Sequence, residues 1–169
     1  MSEEGIRQGL KERAATWIIN RVAGLANSKV DIARLQAIHN ANEGRISRMT
    51  LTDINKSFYF RVKDGKLQLL SGAEKLDGGF DLTVDTLVSM ASGKQKRMDP
   101  GTGKIFSVEF TPIDAVTQGL VRIWGEAASN DLLLFAKAVY GSIWGQLKTE
   151  INATATAAAN GTNGANGHA

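Results

Sequence analysis

The sequence predicts an α+β domain, with helices at both ends and between them strands that pair mostly antiparallel. Three observations carry this. Near the start, Ile6, Leu10, Ala14, Trp17, Ile18, Val22 and Leu25 recur at spacings of three and four, the period of a helix with one apolar stripe. In the middle the period falls to two: Phe58, Phe60 and Val62 face one way, Tyr59 and Arg61 the other, as on a pleated strand. Tight-turn signals separate these segments, above all Asp64-Gly65, a dipeptide suited to two-residue hairpin loops.

The first helix carries Arg7, Lys11, Glu12 and Arg13 on its polar face and ends at Asn27-Ser28. Asp31 caps a shorter helix with Ile32, Leu35 and Ile38 on one side, and residues 40–44 make a turn. Arg45 to Ile54 reads as a strand, Ser57 to Val62 as a second, and Leu67 to Leu70 as its hairpin partner. Phe80, Leu82 and Val84 then alternate with Asp81, Thr83 and Asp85, giving a further strand with a polar outer face. Asp85 caps a helix over Thr86 to Ser92, which Gly93 stops. Lys94 to Pro112 is polar and basic and holds both prolines; it reads as an inserted loop with a short strand around Ile105 to Phe110. Asp114 to Thr117 forms a helical turn, Gln118 to Trp124 the last strand, and Asp131 to Lys148 the final helix.

A chain of 169 residues suits one domain. Helices over 1–39 and the part over 40–150 form one folded unit. From residue 151 the chain is Ala, Asn, Gly and Thr with almost nothing else. Such a tail buries too little apolar surface to offset its ordering entropy and is expected to be disordered. Asn152-Ala-Thr154 and Asn160-Gly-Thr162 in it read as chance matches to the glycosylation pattern. The net charge of +3 suits an anionic membrane surface or an acidic partner and does not specify nucleic acid. There is no cysteine, which removes disulfides and thiol nucleophiles. No run of 18 apolar residues spans a membrane, and the acidic start Met-Ser-Glu-Glu-Gly is unlike a signal peptide, so a cytoplasmic location is expected.

Two stretches carry a family resemblance. One is Phe80-Asp-Leu-Thr-Val-Asp-Thr-Leu-Val-Ser-Met-Ala-Ser-Gly-Lys94, a strand leading into a short helix that ends in Gly-Lys. The other is Asp114-Ala-Val-Thr-Gln-Gly-Leu-Val-Arg-Ile-Trp-Gly125, followed by Asn130-Asp-Leu-Leu-Leu-Phe-Ala-Lys137. Over roughly residues 40–148 the chain resembles the sterol carrier protein type-two family. The resemblance implies a five-stranded, mostly antiparallel sheet with helices, enclosing an apolar tunnel for a sterol, fatty acyl group, acyl-CoA or isoprenoid lipid. The chain departs from the family at Gln95 to Pro112, an insertion near the family's ligand entrance, where access or ligand choice differs.

With that resemblance, the residues expected around the ligand are Phe58, Phe60, Leu87, Met90, Val116, Gln118, Val121, Ile123, Phe135, Ala136, Val139, Tyr140 and Ile143. Gln118 offers an amide to a ligand hydroxyl or carbonyl, or equally caps local backbone. The final helix is apolar on nearly every side, from Leu132 to Leu147. Core packing on all faces accounts for this, and so does a tunnel wall on one side with a dimer or membrane contact on the other. In the last strand Val121 and Ile123 point inward, and Leu120, Arg122 and Trp124 share the outer face. Together with Trp144 they suit a partner interface, although scattered exposed apolar residues are common.

The basic loop with Lys94, Lys96, Arg97 and Lys104 is either solvated or binds anionic headgroups. Gly101-Thr-Gly103-Lys104 fails as a phosphate loop because Met98 stands where a glycine is required. His39 and His168 lack a nucleophile partner or metal-ligand spacing. A non-catalytic binder or carrier is therefore expected, or else a non-catalytic accessory subunit of an enzyme assembly that holds or delivers an apolar substrate. Its partners would be a hydrophobic small molecule, a protein or second copy, and a membrane surface in peripheral contact. No nucleic acid, metal or cofactor is expected.

Overall fold

A computed structural model describes residues 2–39, 44–125 and 140–154. The turn read at 40–43, the helical stretch before residue 140 and the tail from residue 155 lie outside them. The described elements are α1 (Glu3–Lys29), α2 (Ile32–His39), β1 (Ile46–Leu51), β2 (Lys56–Lys63), β3 (Lys66–Leu70), β4 (Gly78–Leu82), α3 (Val84–Ser92), β5 (Lys94–Met98), β6 (Ile105–Glu109), α4 (Pro112–Thr117) and β7 (Arg122–Trp124). A last helix, α5, covers residues 140–154.

The main sheet has five strands in the order β3-β2-β1-β4-β7. All its pairings are antiparallel except β1 with β4, so the fold is α+β with a mostly antiparallel sheet. Register fixes its faces, since directly paired residues point the same way. Met49, Phe58, Phe60, Leu67, Phe80 and Ile123 share the inner face; Arg48, Tyr59, Asp81, Arg122 and Trp124 share the outer one. The helices pack on the inner face. There Ile18, Leu25, Leu51, Leu82, Val84, Leu87, Phe110, Ile143 and Leu147 join one buried core.

Local chemistry explains the element ends. Asp64 and Gly65 both take positive φ, at 53° and 68°, the geometry of a tight hairpin turn whose twist matches its strands. Ser2 caps α1 by accepting from the Gly5 N–H. Asn27 then bridges to the edge strand: its Nδ2 donates to Leu67 O at 2.9 Å and its Oδ1 accepts from Leu67 N at 2.8 Å. That satisfies backbone groups an edge strand otherwise leaves open. Gly79 is required by close approach. A Cβ there would collide with the Arg48 carbonyl oxygen and stand 2.8 Å from the Trp124 ring.

The structure differs from the sequence expectation in five places. Lys94 to Pro112 is no loop: β5 and β6 form a separate two-stranded hairpin. The strand expected around Ile105 to Phe110 is β6; its partner β5 was hidden by its polarity, since only two-sided solvation allows a strand such as Lys-Gln-Lys-Arg-Met. The last strand starts at Arg122, not Gln118, because α4 runs to Thr117 and Gly119 turns the chain at φ 71°. β1 ends at Leu51, before a turn in which Asn55 takes φ 50°. Thr83 rather than Asp85 caps α3, accepting from the Thr86 N–H. Residues 151–154 are helical, so the tail expected from 151 loses its first turn to α5.

Candidate functional site

Between the inner sheet face and the helices lies a cavity of about 200 Å³. Every layer of the fold supplies part of its wall. Ile18, Ile19 and Val22 come from α1, Leu87, Met90 and Ala91 from α3, and Pro112 and Val116 from α4. The sheet adds Met49, Phe60, Leu67, Phe80, Leu82 and Ile123, with Val121 just before β7, and α5 adds Tyr140 and Leu147. The wall follows from strand alternation. The inward positions that reach the wall, from Met49 to Ile123, are apolar, with buried Ser47 the polar exception on that face, and the helical stripes that face them are apolar too.

Tyr140 is part of this wall, and burial pushes the ionisation of its phenol up to about 12. The group is therefore a neutral phenol throughout the physiological range. Such a lining offers dispersion contacts and water exclusion, with one hydroxyl able to donate or accept a hydrogen bond.

Of the residues the sequence singles out, Phe60, Leu87, Met90, Val116, Val121, Ile123 and Tyr140 lie on the cavity wall. Phe58 is on the inner sheet face, packed against the core beside the wall, with the Lys56 ammonium 5.7 Å from its ring centre. Ile143 is buried in the core, 1% exposed. Gln118 is exposed at the C-terminal cap of α4, where its Oε1 accepts from Gln95 Nε2 at 3.2 Å. Phe135, Ala136 and Val139 lie outside the described residues.

Arg122 is exposed on the outer face; Leu120 is exposed too but lies before the strand, in the turn after α4, because β7 starts only at Arg122. The Trp124 ring lies against Gly79, with the Arg48 guanidinium 5.2 Å from its centre. Trp144 packs within the chain. Its Nε1 donates to Met90 O at 2.9 Å, Tyr140 meets it edge-on at 5.6 Å, and the Lys148 ammonium lies 4.4 Å over its ring.

Sequence reasoning left out Ile18, Ile19, Val22, Met49, Leu67, Phe80, Leu82, Ala91, Pro112 and Leu147. Their periodic signal was visible, but periodicity marks a buried face and does not separate packed core from cavity wall.

Ion pairs hold the helices around this space. Arg21 grips Glu150 with both ends of its guanidinium, Nε to Oε2 at 2.7 Å and Nη2 to Oε1 at 2.5 Å. That pairing, with Gln146, holds the Glu150 carboxyl at about 2. Lys11 donates to Asp53 at 2.8 Å, and the second Asp53 oxygen accepts from Val84 N at 2.9 Å, tying α1 to the start of α3. Among the described residues, no three His, Asp or Glu side chains gather as a metal site would need, and no helix is long and apolar enough to cross a membrane.

No curated protein matches the chain. Among solved structures it is similar to a UbiJ-SCP2 ubiquinone synthesis protein, at 10% identity and TM-score 0.49, covering 74% of this chain and 97% of that one. It is also similar to the inverting sec-alkylsulfatase Pisa1 from a Pseudomonas species, at 20% identity and TM-score 0.35, over 54% of this chain and 12% of that one. A double mutant of that sulfatase matches at 20% identity and TM-score 0.40, over 64% of this chain and 15% of that one. The profile of the SCP-2 sterol transfer family matches residues 25–109. That span takes in the sheet from β1 to β4, the α3 strand-to-helix motif and the β5–β6 hairpin, and it stops before α4. With half its length matched in this way, the chain belongs to the SCP-2 sterol transfer family.

Proposed function

We propose that this chain binds one hydrophobic lipid-like molecule in the cavity and carries it without altering it chemically. Family membership supports hydrophobic lipid binding. The single observation that carries the reading is the cavity itself: about 200 Å³ walled by aliphatic and aromatic side chains. An apolar lining of this kind offers water few polar partners and suits apolar guests.

Its size refines the expectation. Ligand pockets typically measure about 300–1,000 Å³, so a sterol, an acyl chain or an isoprenoid enlarges the cavity on entering. In this reading a through-going tunnel is a feature of the loaded protein. In this reading the Tyr140 phenol meets a ligand hydroxyl or carbonyl. Titration of the delipidated protein with a fluorescent fatty acid, followed by displacement with a sterol, an acyl-CoA and an isoprenoid alcohol, tests the reading. Saturable one-to-one binding that one of these competes away is expected; no saturable binding would refute it.

A second reading, an accessory subunit that presents its ligand to an enzyme, is favoured by the outer sheet face. Trp124 and Arg48 stack there on the same face as exposed Arg122, and exposed Leu120 precedes the strand. A Trp124→Ala, Leu120→Ser variant should lose assembly mass on light scattering in the presence of its native partners. Unchanged mass would count against this reading.

A further inference from the structure

The β5–β6 hairpin forms a sheet of its own. Its register sorts its side chains: Lys94, Lys96 and Met98, opposite Glu109, Ser107 and Ile105, lie on one face. Gln95 and Arg97, opposite Val108 and Phe106, lie on the other, and Gln95 bonds that face to Gln118. On the first face the cross-strand neighbours Ile105 and Met98 are 71% and 65% exposed. Ile113, at the start of α4, is 75% exposed.

We propose that the first face of this hairpin docks on an anionic lipid surface, with Met98 and Ile105 entering the headgroup boundary while Lys94 and Lys96 reach the lipid phosphates.

Charge complementarity carries the choice of occupant. Over residues 94–109 Lys94, Lys96, Arg97 and Lys104 stand against Asp99 and Glu109, a net excess of positive charge; on the docking face itself Lys94 and Lys96 stand against one carboxylate, Glu109, opposite Lys94. The Asp99 carboxylate is turned into its own loop, accepting from Gly101 N and the Thr102 hydroxyl, both at 2.9 Å. Spacing fits as well. Lys96 is two residues behind Met98 on the same face, about 7 Å along the strand. A flexible lysine stem spans that distance to keep its ammonium among phosphates while the apolar pair sinks in. The composition argues against a protein partner, because lysine is depleted at the core of protein interfaces, where Arg, Tyr and Trp are enriched.

The position has a use. The chain leaves the hairpin into α4, whose Pro112 and Val116 are cavity wall, and Val116 is 44% exposed. Docking would hold the hairpin at the lipid surface, with α4 tethered to its other face through Gln95 and Gln118. The docking stands on the hairpin alone; its use for loading rests on the ligand-binding reading above.

Co-sedimentation of the full chain with vesicles tests it, using phosphatidylcholine alone and phosphatidylcholine with about a third phosphatidylglycerol. The wild-type chain should bind the anionic vesicles, more weakly as salt rises. Lys94→Ser/Lys96→Ser should lose about 25-fold in affinity for them, about five-fold per lysine. Met98→Ser/Ile105→Ser should lose at least about ten-fold. Both pairs are surface changes, so thermal midpoints should hold. A wild-type chain that ignores anionic vesicles overturns the proposal, whether or not a protein binds this face instead. So does binding that survives both double variants but fails in Leu10→Ser/Trp17→Ser, since those exposed α1 residues would then be the docking site. Vesicle binding through the hairpin by a chain that takes up no apolar ligand would refute the ligand reading and leave docking intact.

Discussion

Filling the cavity should stabilise the ligand-free protein, where the same change in a packed region destabilises it. Ala91 is 2% exposed and on the cavity wall. Ala91→Leu adds three carbons into that space at little helix cost. At about 0.8 kcal/mol per buried CH2, the gain is about 2 kcal/mol. In a chain of this size that raises Tm by about 4–8 °C. Ala15, 0% exposed in α1 and not part of the wall, is the control. Ala15→Leu overpacks and should cost about 1–3 kcal/mol. Urea melts of delipidated protein read both changes, and fluorescent fatty acid titration should show weakened binding in Ala91→Leu alone. Equal destabilisation by the two substitutions would refute the reasoning, because it would mean that the space beside Ala91 is packed.

Three further outcomes are expected. The folded Glu150 carboxyl is held at about 2 against an ordinary 4.5 by Arg21 first and Gln146 second. A carboxyl lowered on folding contributes stability that is fully present above about 4.5 and is lost as pH falls through about 2; melts should show Glu150→Gln less stable than wild type at pH 6, with the gap narrowing steadily as pH falls from about 4.5 toward 2. Thr111 and Asp114 form a reciprocal capping box on α4, with Thr111 N donating to Asp114 Oδ2 at 2.7 Å, so Thr111→Ala should cost about 1 kcal/mol and speed amide exchange in α4 selectively. Gly79→Ala puts a Cβ into the Arg48 carbonyl oxygen in mid-sheet; circular dichroism should show loss of the folded state, and a native-like melt would contradict the register of β4.

The fold was legible wherever one face is buried and the other wet. Phe58, Phe60 and Val62 gave β2 its faces, Asp64-Gly65 its turn, and Phe80 and Leu82 the inward side of β4. Thr83 won the α3 cap over Asp85 because its hydroxyl reaches the Thr86 N–H from an extended backbone. The strand around Ile105 to Phe110 was legible, but its partner β5 was not, because Lys94 to Met98 has no buried side to write a period into the sequence. The parallel β1–β4 pairing was equally hidden: nothing between Leu70 and Gly78 states which edge of β1 the chain will return to. The inward placement of Val121 and Ile123 was readable from alternation, whereas Gln118 moved off the strand because Gly119 turns the chain first. A cavity cannot be told from a core by pattern, since Ala91 and Ala15 look alike until the elements are assembled.

Native mass spectrometry of the full chain, purified gently from its own cells and sprayed before and after delipidation, tests the central claim most directly. The account predicts one apolar molecule per chain, removed by delipidation, and reduced occupancy in Ala91→Leu. A chain that is empty as isolated, and stays empty when offered sterol, acyl and isoprenoid lipids, would contradict it.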